Sequence, residues 1–268
     1  MLKIINPHER DNDILFTAEN HKYTILTYPD NIYTSVTTWV HENFTPFDSD
    51  EVIDKMMTSK SWKNSQYYGK TKEEIKQEWI TNSKNCSNDG VNLHHCIELF
   101  MNIDTLKERP THKDLLQKYH ENTEIFDGIK DTVEWGYFLK FVEDYPDLVP
   151  YRSEWVVYNE DIKISGTIDM VYENIDGSLS IYDWKRCKTI SRNSFGKKSI
   201  NDKMRFIPDS NYWHYLLQLS MYKYIIETKY KKKVKSLNLV KLHPNNRSKT
   251  YEIIILPKLF PTIDAIIY

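Results

Sequence analysis

The hydrophobic pattern of this chain changes its period at Pro150, and this change constrains the fold more than any other feature. Before Pro150, apolar residues recur mainly at helical spacing; after it, "SEWVVYNEDIKISGTIDMVYENIDGSLSIYDWKRCK" alternates between apolar and polar residues. Helical spacing predicts amphipathic helices, whereas alternation predicts strands. Pro146 and Pro150 separate the two regions, because proline cannot continue a helix. The sequence therefore predicts an α/β fold.

Helix-start signals divide the first region. Ser35 stands as an N-cap before "VTTWVHENF", and Asp48 with Ser49 precedes a second helix. Thr71 opens a capping box with the glutamate three residues later, and the helix that follows is expected to be interrupted near Asp89–Gly90. Further helices are predicted over 111–121 and 131–145, and the runs around "ENHK" predict an earlier hairpin.

The second region reads as a sheet with one long helix. Three strands follow Tyr151, and the Ile175–Gly177 turn joins the last two. Residues 189–210 lack periodicity and predict a mobile basic loop, after which 210–230 has the pattern of a long amphipathic helix. "VKSLNLVKLH" and "KTYEIIIL" predict two closing strands. We expect one domain over 1–268, with a mainly helical wall and N-terminal hairpin in 1–150 and the sheet in 151–256.

Composition excludes several classes of protein. The chain has 268 residues, of which 40% are apolar and 28% charged, with a formal net charge of −2. Any nucleic-acid surface must therefore be a local basic patch. The three cysteines lack CxxC spacing, which argues against a disulfide framework or zinc ribbon. Since neither a signal peptide, a transit peptide nor a membrane span is indicated, we expect an intracellular protein without membrane contact.

Four short patterns carry polar residues at spacings that suit a shared site. They are His94-x-x-x-Glu98, Gly166-x-x-Asp169, Asp183-x-Lys185 and Gln218-x-x-x-Tyr222. Asp169 and Asp183 lie on strands joined by a tight turn, so their carboxylates can approach each other. Close carboxylates repel unless a cation lies between them. Oxygen ligands with one imidazole suit Mg²⁺ or Mn²⁺.

Along the third predicted strand, successive side chains point to opposite faces, so the charged residues and the tryptophan are separated. Lys185 lies two residues beyond Asp183 and points to the same face, where an ammonium can orient water and stabilise charge on a phosphorane-like transition state. Trp184 points to the other face and belongs to the core, although its backbone carbonyl can still face a metal. Glu98 is either a metal ligand or a hydrogen-bond partner of His94 or a neighbouring helix.

The order GxxD, DxK and QxxxY after a helical histidine resembles the PD-(D/E)xK nuclease superfamily, and most closely its RecB-like exonuclease branch. "YTSVTTWVH" and "YDWKRCK" are similar to stretches of the mitochondrial genome maintenance exonucleases. The resemblance covers roughly residues 33–255. It implies a restriction-endonuclease-like core, in which helices flank a central mixed β-sheet. It also implies a metal-dependent exonuclease acting on single-stranded DNA ends in replication, repair or recombination.

The resemblance further implies roles for individual residues. Metal ligands for Mg²⁺ or Mn²⁺ would be His94, Asp169, Asp183 and the carbonyl of Trp184. Lys185 would be the catalytic lysine, working with the two aspartates, and Glu154 would assist metal binding from behind the ligands. Gln218 and Tyr222 would position DNA or brace the site. Further contacts with DNA are expected from Ser35, Arg186, Lys197 and Lys198.

The chain departs from the family pattern in two places, and alternatives remain open. Arg186 follows the lysine where relatives often have threonine or serine. The four cysteines of some CRISPR-associated relatives are absent, so no iron–sulfur cluster is expected. A structure-specific or RNA-directed endonuclease could use the same fold. A catalytically inactive nucleic-acid-binding module and a plain structural domain are the alternatives of another class.

Overall fold

The structure, a computed structural model, describes residues 1–268 apart from the side chain of Ala18. Within the described chain, the helices are α1 (Leu2–Ile5), α2 (Val36–Glu42), α3 (Ser49–Met57), α4 (Lys72–Met101), α5 (His112–Glu121), α6 (Val133–Asp144), α7 (Asn211–Lys229) and α8 (Ile263–Ile267). The strands are β1 (Ile14–Thr17), β2 (Lys22–Ile25), β3 (Thr34–Ser35), β4 (Val149–Asn159), β5 (Ile164–Glu173), β6 (Leu179–Lys185), β7 (Val234–Lys241) and β8 (Glu252–Ile255).

Six of the strands form a mixed central sheet, and β1 and β2 form a separate antiparallel hairpin. β5 pairs with β4 and β6 in antiparallel fashion and with the short β3 in parallel. β6 and β7 are parallel and are connected through α7, while β8 closes the sheet antiparallel to β7. The predicted α/β class and the predicted central mixed sheet flanked by helices are therefore confirmed.

Helices cover both faces of the sheet and bury two hydrophobic cores. One core joins α2, α7 and α8 to one face through residues such as Val36, Leu217 and Ile181. The other joins α4, α5 and α6 to the opposite face and includes Phe138 and Trp184. Burying each large apolar side chain contributes roughly 1.5–3 kcal/mol to stability. The alternation of β6, which sends Ile181 to one core and Trp184 to the other, thus fixes which face receives each of its polar residues.

The predicted helix starts at Ser35, Asp48 and Thr71 are confirmed, since each side chain accepts a backbone hydrogen bond from the first turn of its helix. The predicted interruption near Asp89–Gly90 is wrong. α4 runs unbroken from Lys72 to Met101, with Gly90 in its middle. A glycine inside a helix costs only about 1 kcal/mol relative to alanine, which the packing of the C-terminal half of α4 can offset.

Two further predictions need correction. α7 is not amphipathic, because every residue from Leu216 to Tyr222 is buried where the helix lies between the sheet, α2 and α8. The segment 189–210 is not a free loop either. Met204 and Ile207 are buried in the first core, and Ser199 Oγ donates a hydrogen bond of 2.8 Å to the Asn43 carbonyl. Apolar residues too sparse to form a period still anchor this segment.

Among the described helices, none combines the length and the apolar character that crossing a membrane requires.

Candidate functional site

The central sheet opens along one edge of β5, and the candidate site lies at this opening. β4 follows one edge of β5 along its whole length. On the other edge, β6 pairs only with Met170–Glu173 and β3 only with Ile164–Ser165. In the described chain, residues 166–169 therefore have no strand on this edge. This gap coincides with the Gly166-x-x-Asp169 pattern.

Asp169 is held at the gap by a backbone donor from β6. The amide of Trp184 donates to Asp169 Oδ2 at 2.9 Å, so a side chain replaces the backbone ladder where the strands diverge. The Trp184 indole packs into the second core, as its place on the strand predicts. The Asp169 side chain of β5 is thus held in place by the backbone of β6.

His94, on helix α4, approaches the Asp169 carboxylate. Its Nε2 lies 3.0 Å from the Trp184 carbonyl oxygen, and its Nδ1 lies 3.5 Å from Asp169 Oδ2. A carbonyl can only accept, so we assign the hydrogen to Nε2; in the neutral ring, Nδ1 is then an acceptor. Nδ1 and the Asp169 carboxylate are consequently two acceptors side by side, an arrangement that favours a cation between them.

Glu154 completes this group from β4. Ser153 pairs with Met170 and Trp155 with Ile168, so Glu154 and Asp169 lie opposite each other. Glu154 has a φ of 43°, in the left-handed region that an L-residue rarely adopts within a strand. Each such residue costs of order 1–3 kcal/mol, and such strain is found most often at functional sites. Ligand atoms of His94, Glu154 and Asp169 all lie within 4.8 Å of one another.

The electrostatics of this group oppose the ionisation of all its carboxyl groups at once. The pKa of Glu154 is raised to about 9. The largest cause is burial, and repulsion from the carboxylates of Asp169, Glu98 and Asp183 adds to it. The carboxyl group is therefore protonated at neutral pH when no cation is bound. Since a divalent cation would remove the repulsion, the residues present fit a metal with oxygen and imidazole ligands.

Asp183 and Lys185 form an ion pair next to this group. Lys185 Nζ lies 2.6 Å from Asp183 Oδ2, and Gln218 Nε2 donates to Asp183 Oδ1 at 3.3 Å. Burial raises the pKa of Asp183, with Lys185 acting in the opposite direction and Asp169 adding to the rise. Burial lowers the pKa of Lys185, but the two carboxylates outweigh it and raise that pKa above its ordinary value. Lys185 therefore stays protonated beside Asp183.

Gly166 explains how Tyr222 reaches the site. A Cβ atom at Gly166 would lie 2.8 Å from Tyr222 Cε1 and 3.2 Å from Val36 Cγ2. Only glycine leaves room for the tyrosine ring of α7 to pack directly on β5. Tyr222 is buried, and Gln218, one turn earlier on α7, contacts Asp183. In this structure the two residues brace the site.

A cavity of about 460 Å³ opens onto the acidic group. Its lining includes Glu98, Glu154, Asp169, Gln218, Tyr222, Gly166, Thr167, Ser35, Val36 and Thr37, together with three aromatic residues of the hairpin, Phe16, His21 and Tyr23. A larger cavity of about 520 Å³ lies against another face of α7. Its lining mixes Lys223 and Lys235 with Glu227 and Asp264, so we take the smaller cavity, which holds the strained and repelling carboxylates, as the functional one.

The structure brings most of the expected site residues together, but Glu154 and Asp183 differ from the positions expected for them relative to a metal. Glu154, expected behind the ligands, lies in the closest group with His94 and Asp169. Asp183, expected as a ligand, is outside that group and contacts Lys185 instead. Glu98 lines the cavity, whereas both ring nitrogens of His94 face other groups.

Three residues expected to contact DNA have other surroundings. Arg186 forms ion pairs of 2.8 Å with Glu134 and 2.9 Å with Asp89, which tie β6 to α6 and α4. Lys197 and Lys198 are exposed on the 189–210 segment and are not part of the cavity lining. Ser35, by contrast, lines the cavity and caps α2.

Sequence reasoning missed the aromatic wall formed by Phe16, His21 and Tyr23. The alternating run around "ENHK" predicts the hairpin itself, but nothing in it indicates that the hairpin packs beside the acidic group. The contact that brings it there joins Tyr23 Oη and Thr167 Oγ1 at 3.1 Å, between residues 144 positions apart.

No family model matches the chain, and a search of curated proteins found no similar protein.

Proposed function

We propose that the protein is a metal-dependent nuclease of the PD-(D/E)xK superfamily, related to its RecB-like exonucleases, that hydrolyses phosphodiester bonds at single-stranded DNA ends. The observation that carries the proposal is the grouping of His94, Glu154 and Asp169 beside the Asp183–Lys185 pair at the gap in the sheet. A plain structural domain has no need to hold mutually repelling carboxyl groups in a half-buried place, one of them on a strained backbone, because the repulsion and the strain both cost stability.

The residues that would hold Mg²⁺ or Mn²⁺ are His94, Glu154 and Asp169. Asp183 and the Trp184 carbonyl lie next to this group, where Asp183 pairs with Lys185 and the carbonyl contacts His94. When bound, a divalent cation would supply positive charge at the scissile phosphate and lower the pKa of an attacking water. The metal would also compensate the repulsion that raises the pKa of Glu154.

Lys185 supplies the fixed positive charge of the site. Its side chain is 17% exposed, and its protonated ammonium lies 4.6 Å from the centre of the Tyr215 ring, so its position is restricted from several sides. From there it can donate to an attacking water or to a phosphate oxygen on which negative charge develops. Such preorganised donors typically contribute 10²–10³-fold to the rate.

The preference for DNA ends comes from the resemblance alone, and it is tested separately from the chemistry. End-labelled linear and circular single-stranded DNA would be digested in Mg²⁺, in Mn²⁺ and in EDTA by wild type and by Lys185→Ala. We expect loss of the linear strand only, dependence on the metal, and a rate at least 10²-fold lower for the variant.

Lys229→Ala is the matched control for losing a partly buried, ion-paired lysine. The two side chains are similarly exposed, 17% for Lys185 and 15% for Lys229, and Lys229 pairs with Glu160 and Asp161 away from the cavity. Equal losses in both variants would remove the catalytic assignment of Lys185. Cleavage of the circle would indicate an endonuclease, and binding of DNA without cleavage would contradict the proposal in favour of an inactive binding module.

A further inference from the structure

The hairpin β1–β2 places an aromatic cluster on the cavity that also holds the acidic group. Phe16 and Tyr23 are cross-strand partners with ring centroids 4.7 Å apart. His21 stands edge-on to both rings, 5.1 Å from Phe16 and 5.8 Å from Tyr23. All three rings line the cavity together with Glu98, Glu154 and Asp169.

Packing within the hairpin accounts for only one member of this cluster. Tyr23 is 5% exposed and its hydroxyl lies 3.1 Å from Thr167 Oγ1 on β5, so it anchors the hairpin to the sheet. Phe16 remains 37% exposed, and His21 is exposed with a φ of 51°. An apolar ring left open and a histidine held in the left-handed region both reduce stability, and the cavity is where both side chains lie.

The chemistry of this wall differs from that of the opposite side. The acidic side repels a phosphate unless a cation is present, whereas aromatic faces accept any nucleobase by stacking. Because the acidic group and the aromatic rings line the same cavity of about 460 Å³, a nucleotide whose phosphate binds at the acidic group can place its base against the rings. Resting on the function proposed above, we propose that Phe16 and His21 form a base-stacking platform that holds a nucleobase next to the scissile phosphate.

The platform makes the interaction independent of sequence but dependent on an intact base. It also assigns a role to the hairpin, which lies outside the central sheet and would otherwise serve only to cover it. Removing the Phe16 ring should weaken substrate binding about 5- to 140-fold, the range expected for one stacked base, while kcat changes far less.

The test compares Phe16→Ala, Phe16→Leu and Phe16→Trp with Leu15→Ala. Leu15 is the matched control, because it is an exposed apolar residue on the same strand, 56% exposed, and does not line the cavity. KM and kcat would be measured on a single-stranded oligothymidylate. Affinity would be measured by fluorescence anisotropy with a labelled oligothymidylate in the Lys185→Ala background, once with all bases present and once with the end nucleotides abasic.

We expect a raised KM and weaker binding for Phe16→Ala and Phe16→Leu, near wild-type values for Phe16→Trp and Leu15→Ala, and no effect of Phe16 substitutions on the abasic strand. The leucine variant keeps an apolar side chain in the hairpin, so unfolding cannot account for its loss of affinity. Equal behaviour of Phe16→Leu and Leu15→Ala, or an unchanged effect on the abasic strand, would overturn the platform alone. If neither wild type nor the Lys185→Ala variant binds any oligothymidylate, the platform and the proposed function are overturned together.

Discussion

At the scale of single residues, the site is defined by residues whose backbone, charge or packing is unusual for their position. Glu154 combines a left-handed backbone with a carboxyl group whose pKa burial and neighbouring acids raise to about 9. Gly166 leaves a space that the Tyr222 ring occupies. The strain and the raised pKa of Glu154 cost stability, and Gly166, three residues before Asp169, tolerates no larger residue while Tyr222 is packed on it. Residues that lower the stability of the fold and cluster at one place indicate a functional site.

Gly166→Ala tests whether this close packing is required. The new Cβ would overlap the Tyr222 ring, and overpacking of a buried site typically costs about 1–3 kcal/mol. We expect a lower free energy of unfolding in urea denaturation and, because the gap beside Asp169 is distorted, lower cleavage activity. In Gly166→Ala/Tyr222→Leu the overlap is relieved, so the two costs in the free energy of unfolding should not add. Simple additivity would show that the ring and the glycine do not interact.

At the scale of elements, local chemistry predicts where helices start and periodicity predicts which segments are strands. Ser35, Asp48 and Thr71 each cap a helix as their side chains predict. The alternation around Trp184 predicts the two faces of β6. Sequence reasoning fails where tertiary packing decides: α7 is buried on all sides along Leu216–Tyr222, and the gap beside β5 follows from strand pairing that no local pattern encodes.

Gly90→Ala tests the continuity of α4, the helix that carries His94. A Cβ atom at Gly90 would have no neighbour within 4 Å, so alanine adds helix propensity without a clash. We expect a gain of about 0.5–1 kcal/mol in the free energy of unfolding. Gly136→Ala in α6, where the Cβ also has no neighbour within 4 Å, should give a similar gain. A loss of stability for Gly90→Ala alone would indicate a break in α4 at this residue.

At the scale of the whole molecule, three parts of the chain converge on one cavity. The long helix α4 brings Glu98, strands β4 and β5 bring Glu154 and Asp169, and the N-terminal hairpin brings Phe16, while His94 and the Asp183–Lys185 pair lie next to this lining. These parts are distant in sequence, so the sequence patterns could predict the polar members but not the aromatic wall. The arrangement collects carboxyl groups in a partly buried place, where Glu154 and Asp169 can both ionise at neutral pH only when a cation balances them.

The direct test of that dependence is the melting temperature of wild type, Asp169→Asn and Glu154→Gln at neutral pH, in EDTA and across an Mn²⁺ titration. Binding that favours the folded state adds about 2.7 kcal/mol at a metal concentration of 100 times Kd, so we expect Mn²⁺ to raise the melting temperature of wild type. In EDTA the two variants should be close to wild type in stability, because each replaces a carboxyl group by a neutral amide of the same shape and Glu154 is itself uncharged there. Mn²⁺ should then stabilise both variants far less than wild type. An Mn²⁺ response that is absent in wild type, or equally large in Asp169→Asn, would contradict a metal centre at this site.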